Sequence, residues 1–175
     1  MASRDLRRFD MVTLHAALDH ERRARALSWA DVTAEINKPF KHTTSIPISV
    51  STLRGLTSKR SVTSAVVLQV LRWLGCSPED FLAGRLGQSS DNEKLLRAAP
   101  NQILRFDTRA MYEALDVERR RRGISWREVA SELPGFTPNM LANLRSGPLI
   151  GFPRVMFLTQ WLNCPASRFV RCCAR

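Results

Sequence analysis

The sequence predicts an all-α protein made of two tandem five-helix units joined by a linker, and three observations lead to this fold class. The chain of 175 residues contains one segment written twice, at residues 9–82 and 106–170. Both copies carry the same helix-start signals in the same order. Units of this size lie near the lower limit for independent folding, so each must pack economically, mostly with helices.

The internal repeat is clearest where FDMVTLHAALDHERRARALSWADVTAEI, residues 9–36, matches FDTRAMYEALDVERRRRGISWREVASEL, residues 106–133. Each residue of the second copy lies 97 positions after its counterpart. Further along, the spacing is 88, and the matched pairs are Leu53 and Leu141, Trp73 and Trp161, Cys76 and Cys164, and Phe81 and Phe169. One supersecondary unit has therefore been duplicated, and the first copy carries nine additional residues before its third helix.

The first three helices of each copy are predicted from their N-terminal caps. Asp10 and Asp107, each after a phenylalanine, fit the N-cap of helix one. We expect helix one to end near Leu27 and Ile124. Capping-box patterns then open helix two, Ser28 with Asp31 and Ser125 with Glu128. Helix three is predicted to begin after Ser49 and after Thr137, where Pro138 suits the first helical turn.

The remaining helices of each copy are predicted from their apolar content and from the residues that can end them. Residues 64–74 and 153–162 are apolar almost all round, which is typical of a central helix, and Gly75 and Asn163 can end them in a left-handed conformation. Short fifth helices are predicted at 77–81 and 165–169. The predicted boundaries are 1–84 for an N-terminal domain with an inserted loop at 38–48, 85–102 for a linker, and 103–175 for a C-terminal domain.

The chain is strongly basic. It contains 27 Lys and Arg residues against 16 Asp and Glu residues, a net charge of +11, and nearly all of the 27 are arginines. The planar guanidinium suits phosphates and the edge of guanine. Together with the repeated helix, turn and helix pattern, this charge points first to nucleic acid. The alternative is a basic surface that serves only solubility.

Other classes of protein find little support in the sequence. No apolar run reaches 18 residues and none follows the amino terminus, so we expect a cytoplasmic protein without a membrane partner. The four cysteines are interpreted as reduced thiols. The histidines His15, His20 and His42 have no counterparts in the second copy and no metal-ligand spacing. Phosphate-binding glycine loops and nucleophile motifs are missing, so we expect no enzyme activity, catalytic residue, metal or cofactor.

Each copy resembles a helix-turn-helix domain of the lambda-repressor-like family, the Cro and Xre type. The resemblance covers nearly the whole chain outside the linker and tails. It is carried by RRRRGISWREVASELPGFTPNMLANLRSG, residues 119–147, and by ISVSTLRGL, residues 48–56. It implies that helix two of each copy lies across the phosphate backbone while helix three enters the major groove. The protein so implied is a nucleoid-associated transcriptional regulator, a repressor or an activator, of bacterial or phage type.

The resemblance places the DNA-contacting residues on and around the two third helices. Arginine can pair with the O6 and N7 edge of guanine and asparagine with the N6 and N7 edge of adenine, each pair giving about 1–3 kcal/mol of base discrimination. The base-facing residues are Val50, Ser51 and Arg54 in the first copy and Pro138, Asn139 and Asn143 in the second. Further contacts are assigned to the caps Ser49 and Thr137, to Thr52, Lys59 and Arg145, to the inserted-loop residues Lys38 and Lys41, and to Trp29 and Trp126.

Departures from the family pattern leave several interpretations open. Trp29 and Trp126 stand where the family has a polar residue, often glutamine, so the indoles either contact phosphate or pack beside helix three. The arginines of helix one, 22, 23, 25 and 119–122, either contact phosphate or form a solvated face. Gly55 replaces Asn143 in the first copy, which weakens base contact there. The inserted loop either adds phosphate contacts or obstructs the groove.

Two partner classes follow. A single chain with two recognition helices could supply both halves of a double-stranded DNA site, because a flexible linker of about 20 residues spans roughly 25 Å. The half-sites should then be unequal. A homodimer is also possible. The second partner class is another protein, which the unit would bind as a scaffold, as an anti-activator or an assembly subunit does. Met140, Leu149, Ile150 and Phe152 are the apolar residues that would form such a surface.

Overall fold

The computed structural model describes residues 5–58, 62–84, 98–147 and 151–173. Over these ranges the protein is mostly helical with one two-stranded sheet, which confirms the all-α class in its coarse form. None of the helices within them has the length and apolar character needed to cross a bilayer. The candidate residues Lys59, Leu149 and Ile150 lie outside the described residues.

The first repeat has four α-helices in its described residues. They are α1 (Met11–Ala24), α2 (Trp29–Asn37), α3 (Val50–Arg54) and α4 (Ser64–Leu74), with 3₁₀ helices at Lys38–His42 and Pro78–Phe81. Helix α4 has the predicted bounds, whereas α1 ends three residues before Leu27.

The second repeat follows the same order between two strands. Its elements are β1 (Ile103–Phe106), α5 (Thr108–Arg122), α6 (Trp126–Glu132), α7 (Pro138–Asn143), α8 (Phe152–Trp161) and β2 (Val170–Cys173), with 3₁₀ helices at Leu144–Ser146 and Ala166–Phe169. The predicted fifth helix is a single 3₁₀ turn in both repeats. Only four residues separate its cap from the extended chain that follows, which is too few to continue an α-helix.

The predicted caps are confirmed in both repeats. The carboxylate of Asp10 accepts the N–H of Val12 at 2.9 Å, and that of Asp107 accepts the N–H of Ala110 at 3.0 Å. Both capping boxes are formed, at α2 and at α6. Ser49 caps α3 and Thr137 caps α7 through the N–H three residues on, at 3.1 and 3.2 Å. Local sequence signals therefore determine where these helices begin.

A short antiparallel pairing closes each repeat. In the second, β1 pairs with β2 so that Phe106 lies opposite Val170. In the first, an isolated antiparallel bridge joins Phe9 to Leu82, the same two positions of the repeat. The sequence analysis missed this pairing, because strands of four residues carry too few alternating positions to show a period.

One apolar cluster is shared by the two repeats, and a second cluster lies within the second repeat. Phe152 and Met156 of α8, with Ile103 and Leu104 of β1, are buried in the same cluster as Phe9 of the first repeat. The rings of Phe9 and Phe152 meet edge to face, with centroids 4.9 Å apart. Packing therefore sets the position of one repeat against the other, independently of the length of the linker that joins them.

The chain entering the second repeat is attached to α4. The guanidinium of Arg72 donates hydrogen bonds to the carbonyls of Ala98, Ala99 and Gln102, the first two at 3.3 and 2.9 Å. Residues 98–102 of the predicted linker are thus held against the first repeat. Residues 85–97 lie outside the described ranges, so the linker itself stays a prediction.

We expect Phe152→Ala to lower the free energy of unfolding by about 3–5 kcal/mol, because a fully buried aromatic ring leaves a cavity when it is removed. Since the core is shared, both repeats should still unfold in one transition, measured by denaturant titration followed by circular dichroism. Val117→Ala is the control: this side chain is 67% exposed and its removal should change stability by less than about 0.5 kcal/mol. Two separate transitions, of which only one shifts, would contradict a shared core.

Candidate nucleic-acid interface

Helix α7 presents a polar face to solvent. Leu141 is fully buried and holds the helix against its own repeat. Asn139 and Asn143 are exposed one helical turn apart, so their amides share one side of the helix. Thr137, Pro138 and Arg145 are exposed at its two ends. The second repeat therefore places the five predicted contact residues on and next to α7 on the surface.

Helix α3 presents fewer side chains. Leu53 is fully buried, Val50 and Thr52 are half-buried, and Ser51 and Arg54 are exposed. The hydroxyls of Ser51 and Thr52 are both 2.9 Å from Ser49 Oγ, so they belong to the cap. Arg54 is therefore the main exposed side chain of this helix.

Gly55 occupies the position of Asn143, and the structure limits what could replace it. A Cβ added there would lie 3.0 Å from the carbonyl oxygen of Ser51 and 3.2 Å from Ser58 Oγ. The first repeat therefore has little room for a side chain where the second repeat has an amide, and the two faces differ in kind.

The inserted loop folds onto the core of the first repeat. Pro39 and Phe40 are buried, and the Asn37 side chain closes the loop by donating to the Ile48 carbonyl at 2.7 Å and accepting the Ile48 N–H at 2.9 Å. Arg105 of β1 donates to Ser45 Oγ at 2.6 Å. Lys38 and Lys41 remain exposed. The loop is therefore a packed element with two exposed cations.

Most arginines of helix one are paired with carboxylates of their own helix, whereas Arg25 pairs with Glu35 of α2. Asp19 binds Arg22 and Arg23 at 2.7 and 2.8 Å, and Asp116 binds Arg119 and Arg120 at 2.6 and 2.8 Å. In the second repeat Glu118 also binds Arg121 and Arg122, at 2.8 and 2.7 Å. Much of the positive charge that the sequence shows along helix one is thus balanced locally.

Trp29 and Trp126 pack beside helix one of their repeats. Trp29 stacks on His15 with ring centroids 5.6 Å apart, and the guanidinium of Arg22 lies 5.0 Å from the Trp29 centroid. Trp126 has the same arrangement with Tyr112 and Arg119, at 5.6 and 5.0 Å. The cause is the anchored arginine, which attracts the ring face. Both indoles are half-buried, and their contact with DNA stays a prediction.

Each repeat also joins helices one, two and four through an Arg, Trp and Glu cluster. In the first, Trp73 donates its indole N–H to Glu35 at 2.8 Å, and Arg25 lies over the Trp73 ring and binds Glu35 at 2.9 Å. The hydrogen bond from Trp73 is the main cause that lowers the pKa of Glu35.

The second repeat builds the same cluster from Arg122, Trp161 and Glu132. Both carboxylates, Glu35 and Glu132, therefore connect different helices and do not form salt bridges at helical spacing.

Six exposed cations on the third helices or on the elements next to them make no ion pair within the described residues: Lys38, Lys41, Arg54, Arg127, Arg145 and Arg154. Outside these elements, Arg7, Arg8 and Arg168 are likewise exposed without an ion pair to the rest of the described chain. Sequence reasoning missed Arg127 and Arg154. Arg127 lies in the first turn of α6, and Arg154 Nε is 4.0 Å from where a Cβ of Gly135 would stand, in the turn before α7. Arg127 could have been found from its place after the Ser125 cap, whereas only the fold brings Arg154 to that turn.

Other kinds of site are not evident in the part of the chain that the structure describes. It holds no group of three or more His, Cys, Asp or Glu side chains placed for a metal ion. Burial raises the pKa of the Cys76 thiol, which disfavours a reactive thiolate there. Comparison of the chain with protein-family models, curated proteins and solved structures found no match. A function must therefore be inferred from the third helices and the charges around them.

We expect Glu118 to contribute to stability in a pH-dependent way. Hydrogen bonds from Arg121 and Arg122 lower its pKa from 4.5 to about 2. A lowered carboxyl pKa stabilises the fold above the unfolded value and loses that contribution as the pH falls toward the folded value. The difference in free energy of unfolding between the wild type and Glu118→Gln should therefore be constant above about pH 5 and shrink toward about pH 2.

Denaturant midpoints measured across this pH range check the prediction. Glu113→Gln is the matched control, because the Glu113 side chain is 64% exposed and lies 3.4 Å from an equally exposed Arg109. Its effect should be small at every pH. An effect of Glu118→Gln that does not vary with pH would show that the carboxylate charge is unimportant there.

Proposed function

We propose that the protein is a sequence-specific transcriptional regulator that binds double-stranded DNA through α3 and α7. The observation that carries the proposal is the distribution of charge. Helix-one arginines are paired with carboxylates, whereas the exposed cations around the third helices are not. A polar helix framed by available cations suits a duplex, because phosphate contacts position a protein while base contacts specify the sequence.

The second repeat offers an adenine-directed surface. The amides of Asn139 and Asn143 lie on one side of α7 and can each pair with the N6 and N7 edge of adenine in the major groove. Arg127, Arg145 and Arg154 lie in or next to the elements that hold α7 and can bind the flanking phosphates. In this arrangement the cations position α7 and the amides read the bases.

The first repeat offers a guanine-directed surface. Arg54 is the long exposed side chain of α3, and its guanidinium can pair with the O6 and N7 edge of guanine. Lys38 and Lys41 of the inserted loop supply charge for phosphates beside it. Since Gly55 leaves no amide here, the two repeats should prefer different bases.

A protein-binding scaffold is the competing proposal, and the structure removes part of its basis. Phe152 is fully buried between the repeats and cannot form an exposed apolar patch. Leu149 and Ile150 lie outside the described residues, and Met140 is half-buried. Met140 is thus the one described residue of that surface with an exposed portion.

Selection of bound sequences from random duplex at two salt concentrations tests the proposal. We expect a defined motif at both concentrations, with affinity falling steeply as salt rises because phosphate contacts release counterions. The proposal is wrong if the selection yields only a salt-sensitive background without a motif. If Met140→Asp then abolished the action of the protein, the scaffold would be favoured.

We expect Asn143→Ala to remove base preference at one position of the motif and to weaken binding to the selected site by about 5- to 150-fold, the equivalent of about 1–3 kcal/mol. Binding isotherms on the selected site and on its single-base variants measure this. Asn101→Ala is the control, since Asn101 is exposed on a turn before β1 and away from α7 in the chain. Equal base preference in the wild type and Asn143→Ala would remove Asn143 from the interface.

A further inference from the structure

The two repeats are related by a local two-fold axis. An antiparallel bridge joins Thr63 to Gly151, and these residues occupy the same position of the repeat, 88 residues apart. A position that pairs antiparallel with its own counterpart lies on a two-fold axis. Phe152, the next residue, donates its N–H to the carbonyl of Val62 at 3.1 Å and extends the pairing.

Contacts away from the axis join the same segments in both directions, although their donors, Gln69 and Gln160, do not occupy matched positions of the repeat. Gln69 of α4 donates its amide to the carbonyl of Leu104 at 2.8 Å, and Gln160 of α8 donates its amide to the carbonyl of Arg7 at 2.8 Å. Leu104 and Arg7 are counterparts, 97 residues apart. Each fourth helix therefore binds the segment that precedes helix one of the other repeat. This arrangement approximates an isologous dimer interface within one chain.

A second polar contact holds the repeats close to the axis. The N–H of Ala166 donates to Glu79 Oε1 at 2.7 Å. Ala166 and Glu79 occupy adjacent positions of the repeat, so the two repeats contact each other through the same segment. Both residues are buried, so the hydrogen bond forms out of water, where it is costly to break. Hydrogen bonds and the shared cluster together join the two repeats, so we expect them to move as one body.

From this geometry, and resting on the proposed function, we propose that one copy of the chain binds a composite DNA site whose two unlike half-sites are inverted and held at one fixed separation. A local two-fold axis relates α3 to α7, so the two helices lie at similar heights along it and are related by half a turn. Because the two helices are related by a two-fold axis, the half-sites that they bind must be inverted relative to each other. The surfaces of the two repeats that face the axis are buried against each other within one chain.

The fixed separation follows from the rigidity of the interface. Inserting one base pair moves a half-site by about 3.4 Å along the duplex and turns it by about 35°. Base-reading geometry tolerates errors of only about 0.5 Å. Two helices held at a fixed separation can then bind only one of the half-sites, whereas two units joined by a flexible linker could still bind both.

The two half-sites are unlike because their reading residues differ. The second repeat presents Asn139 and Asn143, and the first presents Arg54 with glycine in the position of the second amide. The composite site should therefore contain an adenine-directed half and a guanine-directed half.

The experiment varies the DNA and leaves the protein intact. The selected motif is rebuilt with one base pair inserted or deleted between the halves, with a full turn of ten inserted, and with one half reversed into a direct repeat. We expect each change to weaken binding at least tenfold, by the same factor as scrambling the displaced half-site. Sedimentation of the complex should give one chain for each duplex.

The outcomes separate this inference from the function on which it rests. Equal affinity for all spacings or for both orientations, or two chains on one composite site, would overturn the fixed and inverted arrangement while leaving sequence-specific binding in place. A selection without any motif would overturn both. A motif consisting of one half-site alone would overturn the composite site and retain a single reading helix.

Discussion

Burial of the fourth helices between the two repeats is the constraint on which the rest of the structure depends. Helix α8 places Phe152 against Phe9, and α4 binds the chain that enters the second repeat. Each repeat is near the lower size limit for an independent core, and pairing the repeats buries these apolar faces. The shared cluster joins the repeats and sets where α3 and α7 lie relative to each other.

The distribution of charge also follows from the small size of each repeat. In a small helical unit, the arginines nearest to the packing surfaces also tie helices together, as Arg25 and Arg122 do over the rings of Trp73 and Trp161. A guanidinium above an aromatic ring and beside a carboxylate stabilises three elements at once. A raw count of basic residues therefore overstates the charge available to a polyanion. The available cations are the exposed ones without an ion pair; over the described ranges they comprise the six near the third helices and also Arg7, Arg8 and Arg168.

Helix starts were predictable from the sequence because a cap needs only residues within one turn. Asp10, Ser28, Ser49 and Thr137 cap the helices that their spacing predicts. The exposed faces of the third helices were predictable as well, since a single buried leucine such as Leu141 orients each of them. The stacking of the indoles on helix one was not, because it depends on side chains that meet only when the helices pack.

The sequence by itself determined that a helical unit occurs twice, where its helices begin, and that its third helix is polar, because these properties depend on neighbours in the chain. Only the tertiary structure decided that the repeats form one pseudo-symmetric body, that Glu35 and Glu132 bridge helices, and that Arg154 lies beside the turn before α7. These depend on contacts between distant residues. No local spacing encodes such contacts, since the free energy of the whole core selects them.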